Sequence, residues 1–272
     1  MCGLVGALLK PEQRTPDAWR TILDVTTSNL IANEERGREA AGIAVIQRSG
    51  RHFVFKQPVT VSKLVEMPGY KEVLDTVGPE TVCILGHTRW PTKGSRWQNV
   101  NNHPLEAKYV VGIHNGQIKN DDQLFTALEL PRAGKVDSEI IFRLQDTIDP
   151  TTSNGHYATA LRRHINLLDG RFATLSVDVR KPTQLLALKH LRPLCLHYEA
   201  PLQTLFFSSR YIFLRRAFGR AVVTEALDSG FGFCFDALRL PELGSHPVET
   251  FELAPGTETP RRSLTPSTEG TQ

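Results

Sequence analysis

The chain begins Met1-Cys2-Gly3-Leu4-Val5-Gly6, and this start constrains it more than any other stretch. Removal of the initiator methionine makes Cys2 the N-terminus, so that one residue carries both a thiol and an α-amine. An α-amine has a pKa of about 8 and can take up the thiol proton directly or through one water, which removes the need for a separate histidine base. Methionine excision favours a small second residue, and Gly3 and Gly6 let backbone and ligand approach with no Cβ between them. Residues 4–9 then read as a buried strand, ended by Lys10-Pro11. The hexapeptide also fits a cysteine that merely opens such a strand, because one cysteine near a terminus is weak evidence of chemistry.

The elements that follow decide the class. Thr15 reads as an N-cap with Pro16 at the first helical position, and Trp19, Ile22, Leu23, Thr26, Leu30 and Ile31 recur at helical spacing to about Asn33. Small residues bracketed by Gly37 and Gly42 suggest tight packing and lead into a strand at 43–46, which a turn at 48–51 pairs with 52–56. A strand at 81–86 delivers His87-Thr88-Arg89-Trp90-Pro91-Thr92-Lys93-Gly94-Ser95, and rigid sheets present ligand-binding side chains in this way. A second strand, 108–113, ends in His114-Asn115-Gly116. Asn-Gly is a hairpin signal, but Asn120 reads as the cap of a helix soon after, which weakens the hairpin. Asp137-Ser138-Glu139 opens another helix, with Asp137 as a capping residue. A helix at 156–168 precedes strands at 171–179, 184–190, 194–197 and 205–207, a short helix at 209–217, and strands at 221–224, 231–235 and 248–253. The order predicts an α+β fold with two antiparallel sheets and helix pairs between the strand groups. From Pro255 onward there is almost nothing to bury, so 255–272 reads as a disordered tail.

Composition excludes several classes. The net charge of +3 comes from 32 basic and 29 acidic residues mixed along the 272-residue chain, so there is no basic stripe for nucleic acid. No apolar run reaches membrane-spanning length, and the polar start after Lys10 does not suit a signal peptide, which points to no membrane and to the cytoplasm. Cys2, Cys83, Cys195 and Cys234 form no CxxC pair and read as buried free thiols, with no metal site and no cofactor motif.

Four separated segments act together. Met1 to Gly6, Arg36-Gly37 through Ala41-Gly42, Gly86 to Thr92, and His114-Asn115-Gly116 followed by Asp137-Ser138-Glu139 resemble the glutaminase domain of class II glutamine amidotransferases. The similarity extends to 168–173 and 191–194, and so covers most of residues 2–254. Thr88-Arg89-Trp90 and Asn101-Asn102-His103-Pro104 are similar to glucosamine-6-phosphate synthase. Residues 91–95, Arg192-Pro193-Leu194 and Ala254-Pro255-Gly256 are closer to amidophosphoribosyltransferase. Lys93 departs from the former, which has a histidine there.

The resemblance implies a four-layer αββα sandwich of the N-terminal-nucleophile hydrolase type, with 2–254 as the glutaminase domain. It implies that Cys2 attacks the side-chain amide of L-glutamine, its own amine acting as base, to form a γ-glutamyl thioester and release ammonia. Asn115 and Gly116 would hold the oxyanion, Arg89 would take the α-carboxylate bidentately, and Asp137 would pair with the α-ammonium. Trp90 and Thr92 would line the closing loop, and Arg36 would support the site. Relatives of this kind carry a synthase domain downstream, so the expected partner is a separate ammonia-accepting synthase subunit. Two other readings stay open from the residues: a catalytically weak glutamine-binding regulatory module, and an N-terminal-cysteine amidohydrolase acting on another amide.

Overall fold

The computed structural model describes residues 1–152 and 157–260. Along the chain run β1 (Gly3–Leu9), α1 (Pro16–Asn33), β2 (Ala40–Gln47), β3 (His52–Gln57), α2 (Val61–Leu64), α3 (Pro68–Leu74) and β4 (Thr81–Arg89). Then come β5 (Leu105–Glu106), β6 (Val110–Ile118), α4 (Asp121–Ala127), α5 (Glu139–Asp146) and α6 (Tyr157–Ile165). The remainder comprises β7 (Gly170–Asp178), β8 (Gln184–His190), β9 (Cys195–Glu199), β10 (Thr204–Ser208), α7 (Tyr211–Phe218), β11 (Glu225–Ala226), β12 (Phe231–Asp236), α8 (Leu240–Leu243) and β13 (Glu249–Glu252). His156, where the sequence would start the third helix, and residues 261–272 of the expected tail lie outside the described residues.

Two antiparallel sheets stack face to face. One has the order β11-β9-β10-β1-β4-β2-β3, the other β13-β12-β8-β7-β6-β5. Strand alternation explains why β1 is apolar at nearly every position. Leu4 and Leu8 enter the core between the sheets with Leu85, Ile113, Leu175 and Phe207, while Val5, Ala7 and Leu9 face Ile22, Val25 and Leu30 of α1. Helices α1, α2, α3 and α7 cover the outer face of the first sheet. Helices α4, α5 and α6 cover the second through Phe125, Ile140, Phe142, Leu161 and Ile165. The result is the αββα sandwich, in which each fully buried Leu, Ile or Phe contributes about 1.5–3 kcal/mol.

Several local readings meet their physical reasons here. Thr15 Oγ1 accepts from Ala18 N at 3.2 Å and Pro16 starts α1, as the capping signal requires. Asn115-Gly116 makes no hairpin: β6 runs through it, pairing Asn115 with Ala173 and Gly116 with Phe172. Asn120 precedes α4, but its side chain donates to Leu167 O at 2.8 Å and accepts from Asp169 N at 2.9 Å, tying a corner together instead of capping. The strand expected at 221–224 comes later, as β11, where Glu225 and Ala226 pair with Leu196 and Cys195 of β9. Among the described residues, no helix is long and apolar enough to cross a membrane.

Candidate active site

Cys2 stands at the mouth of β1, a central strand whose start is pinned from both sides. Gly3 N donates to Thr88 Oγ1 at 3.0 Å, and that hydroxyl donates to Asn33 O at the end of α1 at 3.0 Å. Leu4 N donates to Ser209 Oγ at 2.8 Å. Arg36, buried at the end of the 3₁₀ turn that follows α1, donates from Nε to the Cys2 carbonyl oxygen at 2.7 Å. Gly37 is needed beside it: a Cβ there would come within 2.5 Å of Arg89 C and 2.8 Å of Trp90 N. Close packing at this glycine was legible in the sequence.

The thiol is buried, and burial pushes its pKa up; the Trp90 N–H, 3.4 Å from Sγ, works in the opposite direction. A protonated thiol is a poor nucleophile, so any reaction at this cysteine would need a base at hand. The other cysteines are also free and buried, with Cys195 and Cys234 pushed up to about 12 by burial.

Strand β4 ends at Arg89, only 2% exposed. Its Nη1 donates to Asn102 Oδ1 at 2.7 Å and its Nη2 to Lys93 O at 2.7 Å and Gly94 O at 2.9 Å. An arginine has five N–H donors, so one on Nε and one on Nη1 stay free for an anion. A fork-on clamp through both terminal nitrogens would require the loop carbonyls to let go of Nη2. Trp90 and Thr92 follow on the same loop, and Trp90 is 55% exposed.

From the second sheet, β6 brings Gly116 to the cleft with φ +154°, where a Cβ would lie 1.9 Å from Arg171 O, so only glycine fits. Asn115 is 1% exposed, and its Nδ2 is buried with no partner among the described residues. Asp137 is not a helix cap: its Oδ2 accepts from Ile118 N at 2.8 Å, and α5 starts two residues later. Burial raises the Asp137 carboxyl to about 6, with Asp121 adding to the rise and the Ile118 N–H opposing it.

Cys2, Arg89, Trp90, Thr92, Gly116 and Asp137 line a single cleft. Of the expected site residues, Arg36 sits behind Cys2 and Asn115 beside Gly116, neither forming the cleft wall. The cleft has further walls that the sequence reading did not assign: His103, His114, Val136 and Ser138. His114 Nδ1 and Ser138 Oγ are 2.6 Å apart, and the His87 and His103 rings lie 4.2 Å apart. Burial drives His87 and His114 down to about 3 and His103 well below its ordinary value, so all three are neutral at neutral pH. The signal for His114 was available, because residues two apart on a strand share a face, which puts it beside Gly116.

No family model matches the chain. It is 29% identical over 197 residues to the glutamine–fructose-6-phosphate aminotransferase [isomerizing] of Salmonella typhi, covering 71% of this chain and 29% of that protein. The corresponding enzyme of Aliivibrio fischeri is 28% identical over 202 residues, again 71% and 29% of the two chains. The chain thus spans less than a third of the length of these curated relatives. Among solved structures, the glutamine phosphoribosylpyrophosphate amidotransferase of B. subtilis, complexed with ADP and GMP, superposes with a TM-score of 0.66 at 18% identity, covering 92% of this chain and 49% of that one. A structure described as the allosteric regulatory enzyme of purine biosynthesis gives 0.65 at 19% identity, over 86% and 47%. By sequence and fold together, the chain is a relative of the class II glutamine amidotransferases and shares their N-terminal-nucleophile hydrolase fold.

Proposed function

We propose that residues 2–254 act as a glutaminase domain that hydrolyses the side-chain amide of L-glutamine and supplies the ammonia to an acceptor synthase. The observation that carries this reading is the convergence of Cys2, Arg89, Gly116 and Asp137 on one cleft, with the Arg89 cation and the Asp137 carboxylate both close enough to act on the thiol. A free α-amino acid carries the matching charges, and an amide without them gains nothing from that pair.

In this mechanism Met1 is removed and the Cys2 amine takes the thiol proton. Sγ attacks the amide carbon, and the C=O electron pair moves to oxygen to form the oxyanion. The Gly116 N–H and Asn115 Nδ2, the latter buried without a partner, supply donors to that oxygen. Collapse breaks the C–N bond, the amine returns its proton to the leaving nitrogen, and ammonia departs. Water then adds to the γ-glutamyl thioester, which yields glutamate and restores the thiol. Arg89 holds the α-carboxylate, Asp137 the α-ammonium, Trp90 and Thr92 cover the substrate, and Arg36 fixes the Cys2 backbone.

The acceptor is proposed to be a separate synthase subunit docked over the loop, where Trp90 is 55% and Trp97 70% exposed. The four free thiols favour a reducing compartment, the cytoplasm. The test is ammonia release from glutamine by the mature protein, with asparagine and a glutamine derivative blocked at the α-amine as controls. Release from glutamine alone supports the reading. No release, or equal release from the blocked derivative, overturns it.

A further inference from the structure

Lys93 takes no part in the reaction just proposed, yet it joins the two sides of the cleft. Its carbonyl oxygen accepts from Arg89 Nη2 at 2.7 Å. Its Nζ crosses to α4 and meets Asp121 Oδ2 at 2.7 Å and Asp122 Oδ2 at 2.8 Å. Arg132 closes the network from the other side, 2.9 Å from Asp121 and 2.5 Å from Asp122. Asp121 is only 2% exposed, so its charge needs these cations. The loop carrying Trp90 and Thr92 is therefore anchored at a point beyond both, by a side chain whose partners stand behind Asp137.

We propose that Lys93 is a positioning residue for the substrate amino group: it latches the covering loop to α4 and offsets the Asp121 charge, so that Asp137 keeps the negative charge that an α-ammonium needs. The inference rests on the glutaminase reading and adds to it a residue and a specificity role. His103 and His114 share the cleft with Asp137 but are neutral near pH 7. The charged and polar groups that bear on its carboxyl are the Ile118 N–H from β6, Asp121 from α4 with Arg132 beyond it, Lys93 from the loop, and Cys2 and Arg89 from the far side of the cleft. Asp121 raises the Asp137 carboxyl and Lys93 lowers it, and with the carboxyl at about 6 the margin below neutral pH is narrow. Removing Lys93 leaves the Asp121 charge less compensated, so Asp137 takes up a proton at higher pH and binds an ammonium less well.

The experiment compares wild type, Lys93→Met, Lys93→Arg and Asp121→Asn by ammonia release from glutamine between pH 5 and 9, with thermal melts on each protein. Lys93→Met is expected to raise KM roughly 2- to 5-fold, the range for losing a partly solvated ion pair, with kcat retained. Its acid limb of kcat/KM should move to higher pH. Lys93→Arg should restore both. Asp121→Asn removes the opposing charge and should move the acid limb to lower pH, whereas simple loosening of the loop would move both variants alike. An unmoved acid limb in Lys93→Met, or limbs that move in the same direction, overturns the role of Lys93 while leaving the glutaminase reading intact. A wild type that neither releases ammonia nor binds glutamine by calorimetry overturns both.

Discussion

Arg36 Nε donates to the carbonyl oxygen of Cys2 at 2.7 Å from a guanidinium only 6% exposed and without an ion pair among the described residues. Burial, followed by the neighbouring Arg210, lowers this guanidinium to about 10. A cation held in that position at such cost does more than pack. It fixes the Cys2 backbone and so the direction of Sγ, and it places positive charge next to the chain's first amine. Burial together with Arg36 and Arg192 already lowers the Met1 amine below its ordinary value. The Cys2 amine that removal of Met1 would expose is expected to meet the same cations, which favour the neutral form a base needs.

The active protein is therefore expected to begin at Cys2. Met1 is 58% exposed and open to an aminopeptidase. Intact-mass measurement should find the chain short by one methionine. A variant that retains Met1 should bind glutamine weakly or not at all and release no ammonia, since its Cys2 nitrogen is an amide. Full activity in a Met1-bearing preparation would refute the amine-as-base mechanism.

Cys2→Ala should abolish ammonia release and still bind glutamine, with a clear preference over glutamate by calorimetry. Arg89→Lys should keep the nucleophile but raise KM by about 10- to 100-fold, the value of one charged hydrogen bond lost from a buried site. A lysine cannot reproduce the three bonds that Arg89 makes to Asn102, Lys93 and Gly94, so the loop should loosen as well. Wild-type turnover in Cys2→Ala would end the assignment.

What the sequence made legible follows from how local each signal is. The cap at Thr15, the apolar run of β1 and the tight glycine at Gly37 are each written within a few residues, and all have structural counterparts. Helices α2 and α3 escaped because they are 4 and 7 residues long, too short for a 3.6-residue period to emerge, and Pro68 breaks the pattern between them. Asp137 read as a cap because acidic residues before helices usually are. Only the fold places it against Ile118 N, 19 positions away in the chain. The histidine group is assembled from β4, a loop and β6, and the Lys93 latch spans 28 positions to α4. Neither has a local signature.

Trp97 is expected to serve docking and not hydrolysis. It is 70% exposed, with the Arg96 guanidinium 4.6 Å from its ring, and Arg96 is in turn paired with Glu39. The ring therefore does not cover the underside of its own loop. An exposed aromatic flanked by a cation is the kind of anchor that buries well against a partner. Trp97→Ala should leave glutamine hydrolysis by the chain alone within about twofold, because the ring is not part of the cleft. It should weaken capture of a co-purifying synthase by about 2 kcal/mol or more, the cost of removing an interface anchor. Unchanged capture would move the docking surface elsewhere.

The last prediction concerns stability, and its sign follows from the Asp137 carboxyl. In the folded chain it sits at about 6, above the ordinary value of 3.8, because burial penalises its charged form. The folded state thus binds this proton more tightly than the unfolded state does, and between those two values stability falls as pH rises. Above pH 6 the full penalty applies, about 3 kcal/mol for a shift of roughly two units. Asp137→Asn removes the charge and keeps an oxygen to accept from Ile118 N, a bond of 2.8 Å in the native chain. The variant should therefore melt higher than wild type at pH 7.5, by an amount equivalent to about 1–3 kcal/mol, and the difference should shrink as pH is lowered towards 4. It should also lose measurable glutamine binding, since the α-ammonium has no carboxylate to meet. A variant less stable than wild type at pH 7.5, or one that binds glutamine normally, would contradict the assignment of Asp137 as a buried charge kept for its ligand.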